Sequence, residues 1–102
     1  MKIITVQKAQ NRREKTMGLI GKKQAYPLLL QTRFGIHTFG VRFPIDVIIL
    51  NNRHEVVSTY KNMKPNRIFL WNPVYQLVLE LPSGTIENTK LEIGNKIKLV
   101  IK

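Results

Sequence analysis

Short apolar runs alternate with turn-forming clusters along the whole chain, and most of the runs have the length and period of strands. Between Lys2 and Lys8, Ile4 and Val6 fall on one side and Thr5 and Gln7 on the other, the alternation of a half-buried strand. Pro27 excludes a normal helix start before Leu28, so Leu28 to Gln31 reads as a second strand. Ile45 to Leu50 carries Val47, Ile48, Ile49 and Leu50 in succession, as expected of a strand covered on both faces. Asn51-Asn52 then supplies a turn into a strand from His54 to Tyr60, predicting a central hairpin. After a loop over Asn62 to Asn66, Arg67 to Trp71 and Tyr75 to Leu81 predict two more strands, separated by Asn72-Pro73. Pro82-Ser83-Gly84 is a turn signal, and Thr85 to Leu91 holds a single helical turn or a loop. In the last strand Ile97, Leu99 and Ile101 oppose Lys96, Lys98 and Lys102, the pattern of one wet face or a guarded edge.

Two stretches depart from this rhythm. Asn11 can cap orphan backbone donors, Glu14 follows three positions later, and Gly21 can close a helix, so the spacing predicts a short helix from Arg12 to Ile20 with Met17 and Ile20 as its apolar stripe. Gly35 and Gly40 bracket Ile36 to Phe39, and Pro44 holds Phe43 extended, which predicts an irregular connection. The fold class that follows is α+β, predominantly β: a compact barrel-like or strongly curved sheet with one short N-terminal helix. At 102 residues the expectation is one domain over 1–102, since that length buries one modest core.

Composition narrows the function classes. A hydrophobic fraction of 43% argues against a disordered chain. There is no cysteine, which removes disulfides, cysteine-based metal sites and thiolate nucleophiles. No apolar run approaches the roughly 18–20 residues that cross a bilayer, and the N-terminus lacks the apolar centre of a signal peptide, so the expected location is cytoplasmic. Against 6 acidic residues stand 17 Lys and Arg, a formal net charge of +11. A field of that sign attracts nucleic acid, an acidic protein surface or an anionic membrane. Basic residues also confer solubility and guard sheet edges, so charge alone does not choose among these.

The run from His37 to Asp46, with Pro44 and Asp46 leading into Val47-Ile48-Ile49-Leu50, resembles the central motif of the uncharacterised bacterial and archaeal family DUF192, also called UPF0127. Three flanking pieces resemble the same family in the same order: Met17-Gly18-Leu19, Val78 to Gly84 with its Leu-Glu-Leu-Pro core, and Ile93 to Ile97. The departures are Val41, where the family commonly has Met, Thr16, where an Arg often precedes Met-Gly-Leu, and Asn95 in place of a frequent Asp. The resemblance implies a compact β-dominated fold with a small helical part, and it brings no established activity.

Three titratable residues are candidates for chemistry. Asp46 can accept loop amides, form an ion pair or act as a catalytic carboxylate; its place beside a Gly- and Pro-containing loop favours the first. His37 can move protons near neutral pH or make an ordinary hydrogen bond. Glu80 can join Asp46 as an acid/base pair of the glycosidase kind or be satisfied by Arg33, Arg42 or Arg67, and the second is favoured. With no Cys and only His37 and His54, no metal-ligand spacing emerges, and no cofactor is implied. Neither Ser58 nor Ser83 lies in a nucleophile elbow. For binding, Arg42, Lys61, Lys64 and Arg67 with Tyr60 and Tyr75 form a basic and aromatic set suited to single-stranded nucleic acid, while Phe69 and Trp71 read as core. The reading is a small soluble binding domain with a basic surface, centred between the His37 to Asp46 loop and the Leu79 to Gly84 turn. The alternatives are a carboxylate/His enzyme and a non-specific single-strand binder.

Overall fold

The computed structural model describes residues 2–9, 19, 22–33 and 35–102. The strands are β1 (Lys2–Lys8), β2 (Leu28–Gln31), β3 (Gly35–His37), β4 (Ile45–Leu50), β5 (Val56–Met63), β6 (Ile68–Leu70), β7 (Leu77–Pro82) and β8 (Ile97–Ile101), with one short helix, α1 (Thr85–Thr89), between the last two. The fold is α+β and predominantly β. The expected helix from Arg12 to Ile20 lies, apart from Leu19, outside the described residues. Among the described residues no helix is long and apolar enough to cross a membrane.

Six strands form one sheet in the order β5-β4-β7-β2-β1-β8. β1 pairs in parallel with β2 and β8, and the remaining pairs are antiparallel. The sheet curls until its two edges meet at one end. Glu55 and Lys96 form a bridge, the Val56 amide donates to the Asn95 carbonyl at 2.8 Å, and the Ile97 amide donates to the His54 carbonyl at 2.9 Å. The enclosed core follows from this curl. Val56 and Ile97, from the two edge strands, and Ile4, from β1, join Ile48, Leu50, Leu79, Leu81 and Ile86 in one apolar cluster.

The other face of the sheet has its own core, made of Leu28, Leu30, Ile45, Val47, Ile49, Met63 and Val78 with Leu19 and Val41. It is roofed in part by a second, two-stranded sheet of β3 and β6, which contributes Ile36 and Phe69. The strand at β3 corrects the irregular connection expected there. A three-residue strand flanked by glycine carries no periodic signal of its own, and its partner lies more than thirty positions away in sequence. β5 also runs on to Met63, past the end expected at Tyr60, because a register shift opposite Asp46 lets its tail keep pairing with Ile45.

Gly35 is required by close approach: a Cβ built there would lie 2.5 Å from the Phe69 carbonyl oxygen and 2.6 Å from Leu70 Cδ2. The oxygen belongs to the backbone of the paired strand and cannot swing aside. Gly35→Ala is therefore expected to destabilise the protein by about 1–3 kcal/mol through forced separation of β3 from β6, measured by urea unfolding.

Candidate functional site

β4 and β7 place two carboxylates one rung apart and on opposite faces. In their register Asp46 pairs with Leu81, and Val47 pairs with Glu80. Directly paired residues share a face and successive residues alternate, so Asp46 points into the curl of the sheet and Glu80 to the other core. The acid/base pair considered from sequence is not formed.

Asp46, 1% exposed, uses both oxygens on backbone amides. Asn62 N–H donates to Oδ1 and Ile86 N–H to Oδ2, each at 2.8 Å. The first amide lies in the irregular tail of β5, where Asn62 has φ 54, and the second in the first turn of α1. Gly84, the N-cap of that helix, has no side chain to cap it, so Asp46 supplies the acceptor from a strand forty residues away.

Glu80 is 4% exposed and sits between Val47 on one neighbour strand and Leu28 on the other. The Leu19 backbone amide donates to the carboxyl, and among the described residues Oε1 has no hydrogen-bond partner. Among the described residues no cation pairs with it, so the expected charge-satisfying arginine is not seen there. Burial among apolar side chains pushes its pKa from 4.5 up to about 7, against a smaller opposing effect of the Leu19 amide.

His37 is exposed on the outer side of β3, its ring centroid 5.4 Å from that of Phe39. The adjacent Ile36 faces the core, so His37 points away from Glu80 as well as from Asp46. The three titratable candidates do not converge on one pocket. Among the described residues no group of three His, Asp or Glu could hold a metal ion.

The basic and aromatic set is partly assembled. Arg42, Lys64 and Arg67 are exposed, and Lys61 lies 3.9 Å from Glu87 in an exposed ion pair. Tyr60 meets Phe69 edge-on at 5.4 Å, and Phe69 meets Trp71 at 5.7 Å. Trp71 Nε1 donates to the Tyr75 carbonyl at 2.8 Å, which holds Tyr75 half-buried beside the core. Sequence reasoning missed Thr38, which is fully buried. Its hydroxyl donates to the Lys64 carbonyl and accepts from the Arg67 amide, each at 2.8 Å, and so pins the His37 to Pro44 loop to the loop before β6. Nothing in the local pattern around Thr38 signals a partner that distant.

The family model DUF192, described as an uncharacterized ACR, matches residues 1–99. The chain belongs to the DUF192 family. A UPF0127 protein of Pyrococcus horikoshii is 36% identical over 91 residues, covering 83% of this chain and 78% of that one. A UPF0127 protein of Pyrococcus furiosus is 33% identical over 101 residues, covering 93% and 86%. The crystal structure of a protein of unknown function from Novosphingobium aromaticivorans superposes with TM-score 0.78 at 16% identity, covering 89% of this chain and 71% of that one, and shares the fold. The family resemblance expected from the His37 to Leu50 and Val78 to Gly84 segments is thus shown, and neither the family nor these relatives bring an established activity.

Two outcomes follow from the carboxylates. Asp46→Asn keeps one acceptor but turns an NH2 group toward the second amide, so it should cost about 2–3 kcal/mol in urea unfolding. For Glu80 the native state holds its proton up to about pH 7, whereas the unfolded chain releases it near 4.5. The native state therefore binds more protons between those values, and the Glu80 contribution to stability is fully present below pH 4.5 and falls as pH rises toward 7. Relative to Glu80→Gln, the protein should lose about 3 kcal/mol across that window, read from unfolding midpoints at pH 4.5, 6 and 8.

Proposed function

We propose that this DUF192 chain is a non-catalytic binding domain that recruits an anionic partner through its basic surface. The observation that carries the proposal is the unneutralised cationic excess: with 17 Lys and Arg in the chain, Lys61 with Glu87 is the one ion pair formed among the described residues. The enzyme alternative draws less support, because Asp46 is engaged with two amides while His37 and Glu80 face away from each other. Acid/base catalysis requires groups within reach of one reacting centre. The proposal includes a cytoplasmic setting, where nucleic acids, acidic proteins and the inner membrane leaflet all present negative charge.

Binding to single-stranded nucleic acid is weaker as a reading. Phe69 and Trp71 pack against the core, and of the basic and aromatic set only Tyr60, 39% exposed and held edge-on by Phe69, offers a ring on which a base could stack. The test is association with heparin and with double-stranded DNA of mixed sequence over a range of salt. Both should bind, and Lys64→Gln with Arg67→Gln should lower the slope of log affinity against log salt on DNA by about two. Tyr60→Ala should leave single-stranded DNA affinity unchanged. Failure to bind either polyanion at roughly 0.1 M salt would remove the proposal.

A further inference from the structure

The outer face of the β3–β6 sheet exposes large apolar side chains, and the segments that build it are basic and free of acidic residues. Phe69 and Ile36 face the core, so alternation turns Ile68 and Leu70 outward, where they are 62% and 70% exposed. Their paired residues are His37, opposite Ile68, and Gly35, opposite Leu70. Phe39, 47% exposed, stacks beside His37. This is a contiguous set of side chains on one side of a two-stranded sheet, and among the described residues nothing covers it.

The two segments that build that face carry charge of one sign. The six acidic residues are Glu14, Asp46, Glu55, Glu80, Glu87 and Glu92, so residues 22–45 and 56–79, which build β3, β6 and their loops, contain none. The same segments contain Arg33, Arg42, Lys64 and Arg67, all exposed. Arg33 directly precedes β3, its carbonyl accepting the Gly35 amide, and Arg67 directly precedes Ile68.

We propose that this face docks on an anionic lipid bilayer, with Ile68 and Leu70 entering the interface and the surrounding Arg and Lys meeting the headgroups. The inference rests on the anionic-partner reading above and names the partner. Three alternatives fit the face less well. Nucleic acid gains from rings open to stacking, whereas here the most exposed groups are the aliphatic Ile68 and Leu70, and the Phe39 and His37 rings are tilted against each other. A second copy would bring two surfaces of the same sign together. A specific protein partner needs directional hydrogen bonds at about one per 100–200 Å². Of the residues that β3 and β6 turn outward, His37 alone carries a hydrogen-bonding side chain. A fluid bilayer asks only for apolar side chains that protrude and cations that surround them.

The experiment is co-sedimentation of the full chain with vesicles of phosphatidylcholine and phosphatidylglycerol in equal parts, with pure phosphatidylcholine vesicles and soluble heparin as controls. Wild type should bind the mixed vesicles and not the neutral ones. The double variant Ile68→Ser/Leu70→Ser should lose vesicle affinity by at least about tenfold while keeping heparin affinity and its thermal midpoint, since both side chains already face water. Ile93→Ser, at another exposed apolar position well separated in sequence, should bind as wild type. Heparin binding without vesicle binding, or vesicle binding indifferent to the double variant, overturns the bilayer and leaves the anionic-partner reading standing. Loss of both heparin and vesicle binding in wild type overturns both. If an alternating Glu-Leu peptide binds with the Ile68 and Leu70 dependence and the vesicles do not, the partner is an acidic protein segment and the bilayer proposal falls.

Discussion

Strand β4 has no wet face, and that constraint organises the rest of the molecule. All six of its residues are buried, Ile48 and Leu50 in the enclosed core and Ile45, Val47 and Ile49 in the outer one. Both cores therefore form around one backbone, hydrogen-bonded on either side to β5 and β7. A slip of one residue would exchange the two sets of side chains and drive Asp46 out of the curl, away from the amides of Asn62 and Ile86. Register is thus specified twice, by apolar alternation on two faces and by a carboxylate that fits at one place only.

The two buried carboxylates show how environment separates groups of the same chemistry. Asp46 exchanges water for two well-placed N–H donors, a trade that leaves each oxygen engaged. Glu80, one rung along and on the other face, receives one amide and keeps an oxygen without a partner among apolar neighbours. Its burial is tolerable because the carboxyl can hold its proton, which removes most of the cost of desolvating a charge. The formal charge count treats Glu80 as an anion. Below about pH 7 the fold keeps it mostly neutral, so the net charge of the folded chain lies slightly above the formal +11.

Legibility from sequence followed the range of the interactions. The two-sided burial of β4 was readable in Val47 to Leu50, and the alternation of β8 in its lysines, because each depends on the strand's own residues. β3 was not readable: Gly35 to His37 is a strand only because Ile68 to Leu70 lies beside it. The polar place of Glu80 in the Leu77 to Leu81 alternation suggested a side open to arginines. Alternation reports which face a residue is on and is silent on what covers that face; here Leu19 and Val41 join the same core. For Asp46 the loop context pointed to amide acceptance, while the identity of the amides, at Asn62 and Ile86, needed the tertiary structure.

The same limit applies to charge. A count of +11 has no direction, and a uniformly basic surface would serve mainly solubility. Direction comes from the fold. The chain confines its carboxylates to a few places, two of them buried, and the pairing of β3 with β6 joins two acid-free segments into one face. Phe69 turns inward to complete the outer core, which forces Ile68 and Leu70 outward on the same strand. That two residues project from the centre of that face is a geometric consequence of covering the core with a strand only three residues long. Polar residues at positions 68 and 70 would have met that requirement equally well. Two large aliphatic side chains there, on a face built from two acid-free segments, are therefore not explained by folding alone, and the proposed surface role accounts for both features together.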